Sequence, residues 1–259
     1  MNAGSRTSKP FLRGVRWPLW CALIAVLLLA ASRWLALWGE PTMAADDKQA
    51  LPPQYAKLVP LHTPLGKPAP GEWLDKHHES GQTFQQYLEA HPVRAERGRR
   101  TLYIQPLGPF NPTQKKIVDL TAELMRAYFQ LPVAIRRPLS LDLVPKSARR
   151  TPGRHRSEQI LTSYVREQLL EPRLPKDAVA MIAFTAADLW PGEGWNYVFG
   201  EASLAGRAGV WSINRYGDPE QDDDAFRLCL LRTLKTATHE TGHMFSMPHC
   251  TFYACNMCG

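Results

Sequence analysis

His239-Glu240-Thr241-Gly242-His243 sets two imidazoles four residues apart. On a helix such a pair projects from one face, one turn apart, and forms a two-point clamp for a metal ion. A catalytic zinc takes three protein ligands at roughly 2.0 to 2.1 Å and keeps one position open, so a third donor must come from off that face. His249, six residues beyond His243, is the candidate. It reaches the ion only if the helix stops near Phe245 and the chain turns back. Pro248 favours that course, since proline cannot continue a helix and drives Met247 toward extended backbone. Glu240, next to the first ligand, then faces the open position as a general base for water whose pKa zinc lowers to about 7.

HExxH with a histidine at the eleventh position, continued by Cys250, Cys255 and Met257, resembles the archaemetzincin (archaelysin) family of metzincin zinc peptidases. The resemblance extends upstream through Gln82-Thr83-Phe84, Ile104 to Gly108, Gln159 to Thr162, Thr185 to Leu189, Val198 to Gly200 and Lys235 to Thr238. It implies an α/β (α+β) fold, a metzincin-like mixed twisted sheet with a long active-site helix. It also implies one catalytic zinc on His239, His243 and His249, Glu240 as the catalytic residue, and a peptide or protein substrate. Met257 would sit in a methionine turn as a hydrophobic floor under the metal, and Tyr197 to Ala202 would be the antiparallel edge strand above the cleft. Peptide docking on that edge through backbone hydrogen bonds and a bare edge are both open. No residue is assigned to the oxyanion, with Tyr253 as the residue to test.

Two departures from the family pattern stand out. Ser246 occupies the position, three residues after the second histidine, where metzincins usually carry glycine. A non-glycine residue in the left-handed region there costs on the order of 1 to 2 kcal/mol. The family also completes a second, structural zinc site with Cys250, Cys255 and a further CxxC pair, whereas this sequence stops at Gly259 and reads as truncated inside the pattern. Cys250, Cys255 and Cys258 could instead form a disulfide plus a free thiol, or hold a second zinc with a borrowed fourth ligand. Cys229, among apolar neighbours, is expected in the core. These departures motivate a rival expectation, a zinc-binding protein without catalysis or an inactive peptidase remnant.

A chain of 259 residues, 44% hydrophobic, supports one sizeable core. Its net charge of +7 is concentrated at the start: residues 1–45 carry five basic side chains and one acidic, which leaves +3 for the rest. Clusters at Arg94–Arg100 and Lys146–Arg156 lack interleaved aromatics, so they read as solvated loops and no nucleic-acid partner is expected. Residues 1–45 read as a signal peptide or an N-terminal membrane anchor. Arg6, Lys9, Arg13 and Arg16 precede an apolar run from Trp17, and Arg33 interrupts it before Trp38. Thr42-Met43-Ala44 suits cleavage, while the 22 residues from Trp17 to Trp38 suffice to span a bilayer. Either way the remainder is expected outside the cytoplasm, secreted or membrane-anchored.

Residues 46–99 read as a proline-rich linker and N-terminal arm, with short helices at Trp73-Leu74 and Phe84–Leu88 and surface histidines at His77, His78 and His91. Residues 100–259 read as the catalytic domain. Leu102–Ile104, Val133–Ile135 and Ala178–Phe184 are predicted strands, the last covered on both faces. Asn111-Pro112 starts a helix whose buried face carries Ile117, Leu120, Leu124, Tyr128 and Phe129. Ser157 is predicted to cap a helix through Ile160, Leu161, Tyr164 and Leu169. Asn196–Gly200 and Gly209–Asn214 are β-rich. Asp222–Asp224 suit the positive end of the last helix, whose buried stripe is Phe226, Leu230, Leu234, Ala237, Met244 and Phe245.

Overall fold

A computed structural model describes residues 53–152 and 157–259. The leader expected over residues 1–45 lies outside the described residues, as do Arg154 and Arg156 of the second basic cluster. Among the described residues no helix is long and apolar enough to cross a membrane. Leu58–Gly259 forms one compact unit.

Its centre is a mixed five-stranded sheet. The strands are β1 (Thr101–Leu107), β2 (Val133–Ile135), β5 (Ala178–Thr185), β7 (Gly200–Ala202) and β8 (Ala208–Ser212), in the order β2-β1-β5-β8-β7. All pairs are parallel except β7 with β8. Each residue of β5 is buried, as its unbroken apolar run predicts for a strand covered on both faces. Pro106 is tolerated in β1, a central strand, because β2 has already ended: β2 pairs only as far as Ile104. Leu102 donates to Pro132, so the donor missing four residues on, at Pro106, faces past the end of β2.

A second sheet, β3-β4-β6, joins β3 (Arg149–Arg150), β4 (Gln159–Leu161) and β6 (Asp188–Trp190). Here the helix expected from Ser157 is corrected. Gln159–Leu161 is a strand paired with both neighbours, and only after it does the chain wind as a π-helix over Tyr164–Leu170. Pairing on both sides satisfies backbone groups that a helix start would leave open, which overrides the local helical spacing.

Two short helices, α1 (Trp73–Lys76) and α2 (Phe84–Glu89), precede the sheet. The long helices α3 (Pro112–Phe129) and α4 (Asp223–Met244) pack on one face of the large sheet in a core with Ile104, Ile182, Phe184 and Trp211. The opposite face packs on the π-helix and the small sheet through Leu107, Met181, Val165 and Leu189. In α3, Asn111 accepts from the Gln114 amide and Gln114 accepts from that of Asn111, a full capping box with Pro112 at the first position. Its buried stripe is Ile117, Val118, Thr121, Ala122 and Met125, rotated from the expected one, and Tyr128 is 60% exposed. Small Thr121 and Ala122 admit the sheet closely, while Tyr128 falls in the last turn near the exit from the core.

Candidate metal centre

Helix α4 carries the clamp in its last two turns. The Asp222 side chain caps its first turn by accepting from Ala225, and the acidic Asp223 and Asp224 follow at its positive end. Cys229, Thr233, Ala237 and Met244 face the core. Over 22 residues at about 1.5 Å each the helix is a rod roughly 33 Å long, anchored along one side. It ends at Met244, with Ser246 in the left-handed region at φ 68°. Met247 donates back to Gly242 and Ser246 to His243, a Schellman-type closure that satisfies the last carbonyls. The hydroxyl of Ser246 donates to the Leu204 carbonyl at 2.8 Å and accepts from the Val93 amide at 3.1 Å. Those two bonds, which glycine could not make, tie the helix end to the arm and to the β7–β8 turn.

Past Pro248 the chain folds back and brings His249 to the clamp. Ring centroids of His239, His243 and His249 lie 4.5, 4.9 and 5.2 Å apart, and one nitrogen from each lies within 4.8 Å of the other two. Among the described residues this is the one group of three or more His, Cys, Asp or Glu side chains that converges so closely. Each ring has its Nδ1 tied outward. His239 donates to the Asn256 carbonyl at 2.7 Å, His243 to the Met247 carbonyl at 2.6 Å, and His249 to both carboxylate oxygens of Glu79 at 2.9 Å. A ring that donates from Nδ1 as a neutral imidazole keeps its free lone pair on Nε2, the nitrogen that zinc requires. Burial first, then the neighbouring imidazoles, hold His243 down to about 4, and burial likewise lowers His239, so both rings stay in the ligating form.

Glu240 is 5% exposed and lies beside Gly200 of β7. A Cβ at Gly200 would meet the Glu240 Oε1 at 2.5 Å, so only glycine lets the edge strand pass that close. Burial, reinforced by the negative Glu201, pushes the Glu240 carboxyl up to about 8. Glu201 is itself held by Arg166 at 2.6 Å and by Thr162. Met257 lies against the other side of the clamp: its sulfur would be 2.5 Å from a Cβ at Gly242.

A cleft of about 1150 Å³ opens over the three imidazoles and Glu240. Edge strand β7 lines one side and residues 254–259 contribute another, with Trp73, Trp195, Tyr197 and Phe199 as aromatic wall. That wall is braced from behind. Arg150 donates to the carbonyls of Trp195 and Asn196 at 2.8 and 2.9 Å, and the Arg215 guanidinium covers the Tyr197 ring at 3.6 Å while bonded to Asp188. The antiparallel edge expected over Tyr197–Ala202 is present, shorter, as Gly200–Ala202.

Other sequence candidates fall differently. Tyr253 is absent from the cleft lining; its ring faces His62 at 5.4 Å because residues 63–65 pair with residues 252–254. That pairing, with Trp73 against Gly259, braces the methionine turn, for which no support was legible in sequence. Cys250, Cys255 and Cys258 share the turn, with Cys250 and Cys255 in side-chain contact, but the three do not form a mutually close set as the histidines do. The Cys255 and Cys258 sulfurs accept from backbone amides of Met257 and Cys255, and the Cys258 thiol donates to the Tyr253 carbonyl. Cys229 is buried. His77 stacks on Trp73 and Trp195 at the cleft rim, outside the histidine trio. Sequence reasoning missed Glu79 and Trp73. No local spacing signals either of them, since they reach the centre from more than 150 residues upstream.

No family model matches the chain. Human Archaemetzincin-2 is 28% identical over 247 residues, 83% of this chain and 68% of that protein. The archaemetzincin of Thermococcus kodakarensis is 40% identical over 85 residues, 31% of this chain and 43% of that one. The crystal structure of archaemetzincin from Methanopyrus kandleri matches with a TM-score of 0.49 at 28% identity, covering 62% of this chain and 82% of that one. The chain is thus similar over 83% of its length to proteins named archaemetzincin.

Proposed function

We propose that the chain hydrolyses peptide bonds with zinc held by His239, His243 and His249 and with Glu240 as general base. The convergence of three outward-tethered imidazoles beside a buried carboxylate carries this reading. A zinc ion so held supplies a Lewis acid and lowers the pKa of water to about 7. Glu240 takes the proton of the attacking water and passes it to the leaving amine. The edge of β7 pairs with an extended peptide and holds its backbone along the cleft, next to the carboxylate that Gly200 admits. Met257 packs under the clamp and keeps the two helical histidines in register.

Replacement of Glu240 by Gln tests the assignment. Zinc content by atomic emission should stay at the wild-type level, while cleavage of a peptide library followed by mass spectrometry should fall at least about 100-fold, the lower range for a positioned general base. Retained cleavage would remove Glu240 from the role, and absent zinc in the wild type would remove the whole reading. The rival reading, a zinc-binding protein without catalysis, is motivated by Ser246 in place of glycine and by a cysteine set short of four ligands, and predicts bound zinc with no cleavage in either form. A second zinc at Cys250 and Cys255 would appear as two ions per chain in the same measurement. The leader supports an extracytoplasmic site of action, which cell fractionation checks; recovery in the cytosolic fraction would exclude it.

A further inference from the structure

We propose that Glu79 is a positioning residue of the metal centre, so that the N-terminal arm is a working part of the site. The inference rests on the zinc reading above and concerns how the third ligand is oriented. His239 and His243 sit on a packed helix and donate to backbone carbonyls that come with the turn itself. His249 has no such support. It lies on non-helical chain after Pro248, and its Nδ1 meets a side chain 170 residues away in sequence. Both Glu79 oxygens lie 2.9 Å from that nitrogen. The carboxylate is itself aimed by the Trp73 indole, which donates to Oε1 at 2.6 Å, and the Trp73 ring meets His249 edge-on at 5.5 Å.

A charged acceptor on Nδ1 fixes the tautomer, leaves the lone pair on Nε2 and makes that nitrogen a better donor. Loss of such a partner typically weakens metal binding 10- to 100-fold. Glu79 touches neither substrate nor the reacting atoms in this arrangement; it acts through His249.

The test uses the full chain with Glu79→Ala and Glu79→Gln, and Glu72→Ala as control, because the Glu72 side chain on the same arm accepts from the nearby Ala69 amide and lies outside the histidine trio. Zinc affinity is read by chelator competition, and the His249 tautomer by nitrogen-15 NMR of the metal-free protein. We expect zinc binding 10- to 100-fold weaker in Glu79→Ala, a smaller loss in Glu79→Gln, whose neutral oxygen still accepts, and wild-type affinity in Glu72→Ala. In Glu79→Ala the His249 ring should become a mixture of tautomers. Zinc affinity within about threefold of wild type in a folded Glu79→Ala protein would overturn the proposal, as would an equal loss in Glu72→Ala. Should Glu79→Ala fail to fold, Glu79→Gln decides by the same readings. Should the wild type bind no zinc, the peptidase reading fails, while an unchanged His249 tautomer in Glu79→Ala would still overturn this one and a mixed tautomer would support it.

Discussion

Ser246 offers a direct test of how this chain dispenses with glycine at the end of helix α4. The residue is left-handed at φ 68°, which costs an L side chain about 1 to 2 kcal/mol. Its hydroxyl makes two bonds, to Leu204 and from Val93, each worth a net 0.5 to 1.5 kcal/mol, or about 1 to 3 together. Ser246→Ala removes the bonds and keeps the strain, so stability should fall by about 2 kcal/mol. Ser246→Gly also loses the bonds but relieves the strain, less roughly 0.5 to 1 kcal/mol for the freer unfolded chain, and should fall by about 1. The order is therefore serine, then glycine, then alanine. Urea titration at fixed zinc concentration measures it, and thermal scans should show losses of about 4 to 8 °C for alanine and 2 to 4 °C for glycine. Glycine as stable as serine would mean the hydroxyl bonds do not compensate the strain. Alanine more stable than glycine would mean there is no strain to compensate.

Gly200→Ala should displace the Glu240 carboxylate, since the new Cβ would meet Oε1 at 2.5 Å, and should cut peptide cleavage at least tenfold with zinc content unchanged; unaltered cleavage would show that the carboxylate has room to spare. For the metal-free protein, pH dependence at the site follows from a carboxyl and imidazoles of opposite sign. Glu240, at about 8 folded against 4.5 ordinarily, contributes stability below 4.5 that is lost as pH rises through 8. His243, at about 4 against 6.5, contributes stability above 6.5 that is lost as pH falls through 4, and His239, also lowered by burial, acts with the same sign. The slopes oppose between about 4.5 and 6.5. From 6.5 to 8 only Glu240 acts, and stability should fall by about 2 kcal/mol, the 1.36 kcal/mol of each pKa unit over that interval. Urea midpoints at the two pH values check this, and Glu240→Gln should flatten the fall; a persistent fall in that variant would assign it to another group.

The sequence by itself determined the local pieces. Spacing of four between His239 and His243, Pro248 past the helix end, the Asn111-Pro112 start and the apolar run at Ala178–Phe184 each depend on contacts within a turn or along one strand, where periodicity speaks directly. It misplaced what depends on partners. Gln159–Leu161 is a strand because β3 and β6 flank it, and the buried face of α3 is set by which residues the sheet can approach. Only the tertiary structure decided that His249 turns inward, that Glu79 and Trp73 stand behind it, and that Gly200 lies against Glu240. The physical reason is range: a hydrogen bond across 170 residues is selected by the packing of the whole unit, and no local pattern of residue types encodes it.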